Sequence, residues 1–344
     1  MVTGGDHDMT VTLPLKPPRQ TANPAPPRRP DSIRRTASID VDWTDGPQST
    51  RRFHGRARDW LTPAGGGAGR ALREARMEAR LDLQRTILAI ESDPAPPHLG
   101  ALVGERGGGH LRMVLREKLP ELVTSGDPLY LLLDDISGVS LISAWAWSLW
   151  NRDWLEGAQA AFPPEQLERM MNERANVCWG LQTGNSGLDP DRTRLHDDAA
   201  DGGSLVNPAD PQGWHAFPET ATVSMRRARR IDVWREPDAI HIDSAFQDSA
   251  PRADGTRAAL HEYRLTASLD PETLSLLTLV PEPRVLPFHE CPGAVANAAG
   301  LVGTPLPAIR ETVLKELRGP AGCTHLNDAL RALAEVPLLL AQLV

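Results

Sequence analysis

The sequence predicts an α+β fold made of two diverged tandem copies of one unit, in which strands come first and helices follow. Three observations lead there. Arg34-Arg35-x-x-x-Ile39-Asp40-Val41 returns 192 residues later as Arg226-Arg227-x-x-x-Ile231-Asp232-Val233. Glu78-x-Arg80-Leu81 returns as Glu262-x-Arg264-Leu265 and Leu102-Val103-Gly104 as Leu301-Val302-Gly303, in the same order and offset by 184 and 199 residues. Within the second copy, an alternating segment gives way to segments with helical spacing. Preserved order with a small drift in offset is what duplication followed by short insertions and deletions leaves behind.

The elements of the second copy can be read in turn. His261, Tyr263, Leu265, Ala267 and Leu269 alternate with Glu262, Arg264, Thr266 and Ser268, the period of a half-buried strand with His261 on its inward face. Asp270-Pro271-Glu272 turns the chain, and Leu274 to Val280 returns as a more apolar strand, giving a hairpin. Pro292 suits a first helical position and places Cys291 at the cap of a small-residue helix running towards Leu301. Thr304 and Pro305 open the next helix, whose Leu306, Ile309, Val313 and Leu317 form one stripe before Gly319-Pro320 stops it. A last helix starts near Cys323, carries Leu326, Leu330 and Leu333, and is bent or ended by Pro337.

Composition sets the boundaries. Residues 1–32 are rich in proline, glycine and arginine without an apolar period and are expected to form a disordered tail. Residues 33–160 make the first, degenerate copy, 161–222 a connecting helix and an irregular linker punctuated by Asp-Pro, Gly-Gly and Asn-Pro, and 223–344 the second copy. With 344 residues and 40% apolar content the chain can bury a core in each copy. No secretory signal and no apolar run of membrane-spanning length are visible, and Cys178, Cys291 and Cys323 are too few and too uneven for a disulfide framework. The expectation is a cytoplasmic protein with reduced thiols and no membrane partner. A net charge of −8, with lysine only at Lys16, Lys118 and Lys315, argues against a nucleic-acid partner. The run Arg226-Arg227-Ala228-Arg229-Arg230 reads as a solvated lead-in to a strand.

The chemistry-bearing residues lie in the second copy. Cys291 and Cys323 both fall at predicted helix starts, where free N–H groups and the helix dipole favour a thiolate. His261 faces inward, and His289 and His325 each stand two residues from a cysteine. His261, Cys291, Cys323 and His325 therefore form a candidate nitrogen and sulfur ligand set for zinc or iron. The spacing matches no standard zinc finger, and cysteines packed as small apolar residues are the alternative. In the first copy Met77, Gly138 and Ser140 align with His261, Cys323 and His325. Loss of the polar residues from one copy fits a binding half beside a structural half.

The segment His261 to Leu333, with Cys291-Pro292, Leu301-Val302-Gly303 and Gly322-Cys323-Thr324-His325-Leu326, together with the Arg226 to Val233 opening, resembles the bacterial domain-of-unknown-function family 2889. That resemblance implies no activity. The layout is also similar to the NifU-type iron–sulfur scaffold fold, in which a ligand begins a strand pair and cysteines open two helices. This similarity implies His261, Cys291 and Cys323 as ligand positions, and histidine in place of the first cysteine shifts the expectation from transient cluster assembly to a stable zinc or iron site.

Other motifs are weaker. Tyr130-Leu131-Leu132-Leu133-Asp134-Asp135 is similar to the strand that presents a magnesium-binding acid in P-loop enzymes, but no Gly-x-x-x-x-Gly-Lys-Ser/Thr accompanies it, which excludes that nucleotide chemistry. Gly104 to His110 and Pro63 to Gly69 read as loops, His196-Asp197-Asp198 as solvated linker residues, and Trp145, Trp147, Trp150 and Trp154 as packing residues. Three functions stay open: a metal-binding protein; a metal-free enzyme acting on a small molecule, with Cys323 as nucleophile or acid and His261 or His325 as base; and a non-enzymatic interaction scaffold.

Overall fold

Two β-meanders meet edge to edge in the computed structural model, which describes residues 19–151, 154, 157, 163–188, 199–218 and 222–343. Strands β1 (Ser32–Trp43), β2 (Arg51–Thr62), β3 (Arg70–Leu81) and β4 (Ile87–Asp93) pair antiparallel in succession. The two-residue β5 (Ala200–Asp201) lies in the connection, and β6 (Met225–Glu236), β7 (Ala239–Pro251), β8 (Arg257–Leu269) and β9 (Leu276–Val285) form the second meander. Because β1 also pairs antiparallel with β6, all nine strands belong to one sheet in the order β4-β3-β2-β1-β6-β7-β8-β5, with β9 also on β8. Mixed helix and antiparallel sheet is the expected α+β class. The two sequence segments predicted as separate copies share this sheet and one continuous apolar cluster.

Helices cover one face. After β4 come α1 (Leu111–Lys118), α2 (Pro120–Ser125) and α3 (Leu129–Ile142). The connection contributes α4 (Pro164–Arg174), and α5 (Ile309–Glu316), α6 (Thr324–Ala332) and α7 (Val336–Leu340) follow β9. The predicted stripe Leu306, Ile309, Val313 and Leu317 is buried, as are Leu326, Leu330 and Leu333, whereas Pro337 opens α7 rather than ending a helix. The segment Tyr130 to Asp135, compared above with a strand, is helical: an apolar run enclosed on all sides satisfies either element. The helical stretch Leu129–Leu149 is 21 residues long and apolar enough to cross a membrane, but 78% of its most apolar window is buried inside the protein, against β1, β2 and β3.

The other face is covered too, which composition did not predict. Residues 19–31, expected to belong to a free tail, lie on the sheet: Ala25 is buried and Arg28 chelates Asp210 at 2.7 Å. From the irregular segment 199–218, His215 bridges Thr36 Oγ1 (2.9 Å) and Ser38 Oγ (2.8 Å) on β1, and Trp214 packs with Ala25 and Ala228. Proline and polar residues suit such a cover because it is held by side-chain hydrogen bonds rather than by its own apolar stripe. Residues 1–18 and the motif at 196–198 lie outside the described residues.

Covering both faces buries β1 and β6 over most of their length, including their charges. The arginine run of β6 is not solvated. Arg226 pairs with Asp40 (2.7 Å), Arg227 with Asp248 (2.8 Å), Arg229 with Asp135 (2.6 Å) and Arg230 with Asp243 (2.7 Å). On β1, Arg34 donates to Asp232 (2.7 Å), and Arg35, fully buried, binds Asp59 and Glu335, each at 2.6 Å. Such side chains enter a core only with partners in place, since an unpaired buried charge is costly.

The pairing registers repeat between the halves. Arg34 opposes Asp232 and Asp40 opposes Arg226, so corresponding motif residues exchange ion pairs across the β1–β6 seam. Arg35 opposes Asp59 as Arg227 opposes Asp248. Bulges fall at Asp59/Trp60 and Arg80/Leu81 in one half and at Asp248/Ser249 and Ser268/Leu269 in the other, which has a further one at Glu262/Tyr263 without a counterpart. This register corrects part of the sequence alignment: His261 corresponds to Arg73, opposite Asp59, and not to Met77. Glu-Ala-Arg occurs at both 74–76 and 78–80, and a slip of four residues keeps the same strand face. By helix start, Cys323 and His325 correspond to Pro128 and Tyr130, not to Gly138 and Ser140.

Two outcomes follow. Asp59→Ala strands the Arg35 guanidinium and is expected to cost about 3–5 kcal/mol in chemical denaturation, as for other broken buried pairs. Burial, aided by Arg58, Arg226 and Arg56, pushes His215 from 6.5 down to about 3. The folded protein then binds fewer protons than the unfolded chain, so stability is full above pH 6.5 and falls as pH drops towards 3. Between pH 7 and 5 the loss from this group is about 2 kcal/mol, and a His215→Gln variant should lose that much less stability than the parent over the same interval.

Candidate metal centre

The site grows from three elements of the second half. Strand pairing sets His261 of β8 opposite Asp248 of β7 beside a bulge, and the first turn of α6 brings His325 over the same spot. The imidazoles of His261 and His325 stack with centroids 3.6 Å apart and planes at 17°, and Phe246 of β7 continues the stack 6.2 Å beyond His325. His261 Nδ1 lies 3.3 Å from Asp248 Oδ2. Asp248 is anchored on its other side by Arg227, whose Nε and Nη2 donate at 2.8 and 3.0 Å. Asp248 is fully buried, His261 nearly so and His325 partly exposed.

Charge around the site is balanced by its neighbours. Arg227 also reaches Asp328 (3.2 Å) and Asp135 (3.4 Å), while Arg112 joins Asp134 (2.7 Å) to Asp328 (2.9 Å). Burial alone would raise the Asp248 carboxyl, but Arg227 and His261 outweigh it and hold it well below the usual carboxylate range. Burial lowers both histidines, His325 the more so because His261 faces it. At neutral pH the site thus presents two neutral imidazoles and a carboxylate, the protonation states in which these groups bind a divalent cation.

Among the described residues, Asp248, His261 and His325 are the group whose ligand atoms all lie within 4.8 Å of one another. The four predicted ligands are therefore divided: the structure brings His261 and His325 together, and neither cysteine joins them. Asp248 was missed because its relation to His261 is one of cross-strand register. The signal that could have found it is Asp59, which stands opposite Arg35 in the first half as Asp248 stands opposite Arg227 in the second.

The cysteines collect elsewhere. Cys323 stands at the N-cap of α6, as the sequence predicted, whereas Cys291, expected at a cap, is the first residue of a 3-10 helix (Cys291–Leu301) whose cap position is held by Glu290. Cys178 reaches them through the turn Trp179–Leu181: the Trp179 N–H donates to Gly322 O at 2.7 Å, and a Cβ on Gly180 would stand 2.6 Å from Cys291 Sγ. Their expected thiolate character is overturned. Burial pushes Cys323 up to about 11 and Cys291 well above its ordinary value, and the neighbouring thiols add to the shift. The backbone N–H groups at the start of α6 do favour the Cys323 thiolate, but removal from water disfavours it more. His289 stands apart, 3.1 Å from Glu290.

Residues 225–339 match a family described as a protein of unknown function (DUF2889). No curated protein and no solved structure matches the chain. The matched stretch begins at β6 and ends in α7, so it holds Asp248, His261 and His325 as well as Cys291 and Cys323.

In the folded protein at pH 8, Cys291 and Cys323 are expected to resist iodoacetamide for hours and to react fully once unfolded, read by intact mass. Alkylation of either at the rate of a free thiol would contradict their burial.

Proposed function

We propose that this protein binds one divalent transition-metal ion, zinc or iron, through Asp248, His261 and His325. The observation that carries the reading is the convergence of three donor atoms from β7, β8 and α6 on one point at the edge of the core. Two imidazoles and one carboxylate are a donor set used for zinc and for non-haem iron, and three protein ligands leave coordination positions for water or a small molecule. Asp248 keeps a lone pair on Oδ2 for the metal while Arg227 orients its carboxylate, the part an outer hydrogen-bond partner plays in such sites. Cys291 and Cys323 then serve as packing residues. The repeated registers support reading the halves as products of one duplication, with the first half, Arg73 in place of His261 and Tyr130 in place of His325, as the structural partner.

Elemental analysis of anaerobically purified full-length protein tests this. About one zinc or iron per chain is expected, retained in Cys291→Ser and lost in His325→Ala and Asp248→Asn. The cobalt-substituted protein should show no thiolate-to-metal charge-transfer band. Metal absent from the parent protein, or retained in both the His325 and Asp248 variants, overturns the assignment, and a thiolate band returns the cysteines to the ligand set.

A further inference from the structure

The two halves also meet among the helices, where α1 and α3 of the first and α5 and α6 of the second wall a cavity of about 40 Å³. Four guanidiniums line it, those of Arg112, Arg116, Arg310 and Arg331. Tyr130 stands among them, its ring 4.4 Å from the Arg310 guanidinium. Met113 and Leu314, 62% and 44% exposed, give the cavity an apolar rim.

Most of the carboxylates that hold these arginines lie outside the wall. Asp328 takes Arg331, Arg112 at 2.9 Å and Arg227 at 3.2 Å, and Glu335 takes both Arg310 and Arg35. The one carboxylate in the wall, Asp134, is held by Arg112 at 2.7 Å. Burial would raise its pKa, but Arg112, Arg331 and Arg310 outweigh that and hold it below the usual carboxylate range, so the field at this wall is positive. Arg116 adds a charge that no buried group answers: its partner Glu311 lies 3.6 Å away and is 78% exposed, a pair of little strength. Three donors are open. Arg112 Nη1, Arg331 Nη1 and the Tyr130 hydroxyl make no hydrogen bond among the described residues, and none of them is sealed from solvent. Burial and Asp134 push Tyr130 up to about 12, so the hydroxyl keeps its proton at neutral pH.

We propose that this cavity binds the carboxylate of an organic monoacid whose apolar chain lies across Met113 and Leu314. The Tyr130 hydroxyl and the open Nη1 groups of Arg112 and Arg331 donate to the carboxylate oxygens, and Arg116 supplies the balancing charge. One water needs about 10–15 Å³ of such space, so this cavity admits about three non-hydrogen atoms, the size of a carboxylate group. The rest of the ligand must leave over the rim, where the exposed apolar side chains stand. One unanswered cation favours a monoanion over a doubly charged phosphate, whose second charge would go unpaired. The site shares no side chain with Asp248, His261 and His325 and does not depend on a metal.

Octanoate, octanol, acetate and phosphate, each titrated into the full-length protein by ligand-observed NMR, test this. Octanoate is expected to bind with a Kd of about 1 mM or below, and acetate, which cannot reach the rim, about tenfold more weakly. Tyr130→Phe removes a hydroxyl that bonds nothing in the protein, and Arg116→Gln changes an exposed side chain, so both variants should melt at the parent temperature. Each should weaken octanoate about five- to tenfold. No octanoate binding, binding of octanol, acetate or phosphate as tight as that of octanoate, or octanoate affinity unchanged in either variant overturns the proposal.

Discussion

A guanidinium cannot sit in the centre of a sheet alone, and this protein places six there. Arg34, Arg35, Arg226, Arg227, Arg229 and Arg230 stand on two adjacent central strands, each no more than 6% exposed. Each finds a carboxylate on a neighbouring strand or helix, and those partners tie the architecture together. Arg35 joins β1 and β2 to Glu335 beside α7, and Arg229 joins β6 to Asp135 of α3. A one-residue slip of β1 against β6 would turn these side chains to the wrong face and strand several buried charges at once, so the ionic pairs specify the register as strictly as the apolar ones.

The same constraint explains why the candidate metal centre lies where it does. In both halves an Arg–Asp pair crosses from the first strand to the second, and the third strand passes beside the aspartate. In the first half that third strand offers Arg73, which is exposed and reaches Ser125 O at 3.0 Å. In the second it offers His261, turned onto the aspartate, and His325 closes over it. The pairing also departs from symmetry at the midpoint of the seam, where Ala37 faces Arg229. Arg229 draws Asp135 in from the first half, so α3 helps balance the charge around a site built by the second.

Local pattern carried the reading of the sequence a long way. Alternation from His261 to Leu269, the apolar stripe of Leu306 to Leu317 and the helix start at Cys323 all correspond to the observed elements, because each is written in neighbours along the chain. The inward face of His261 was legible for the same reason. Three features were not. The arginine run looked solvated because its carboxylates come from four distant segments. Residues 19–31 looked free because their anchors are side chains of residues far along the chain. The cysteines looked reactive because helix position is visible in sequence whereas burial depth is not, and at these sites depth outweighs the dipole.

One consequence concerns mechanics. The β1–β6 seam is bonded along ten successive residue pairs, like any other pair in the sheet, and no flexible joint separates the halves there. Opening and closing of one half against the other, a common way for two-part proteins to admit a guest, would break that ladder and its ion pairs together. His325, at the first turn of α6, already stands partly exposed, so reaching it does not call for such a motion. The two halves are thus one plate, in which a displacement of either would have to break the strand ladder and its buried ion pairs together.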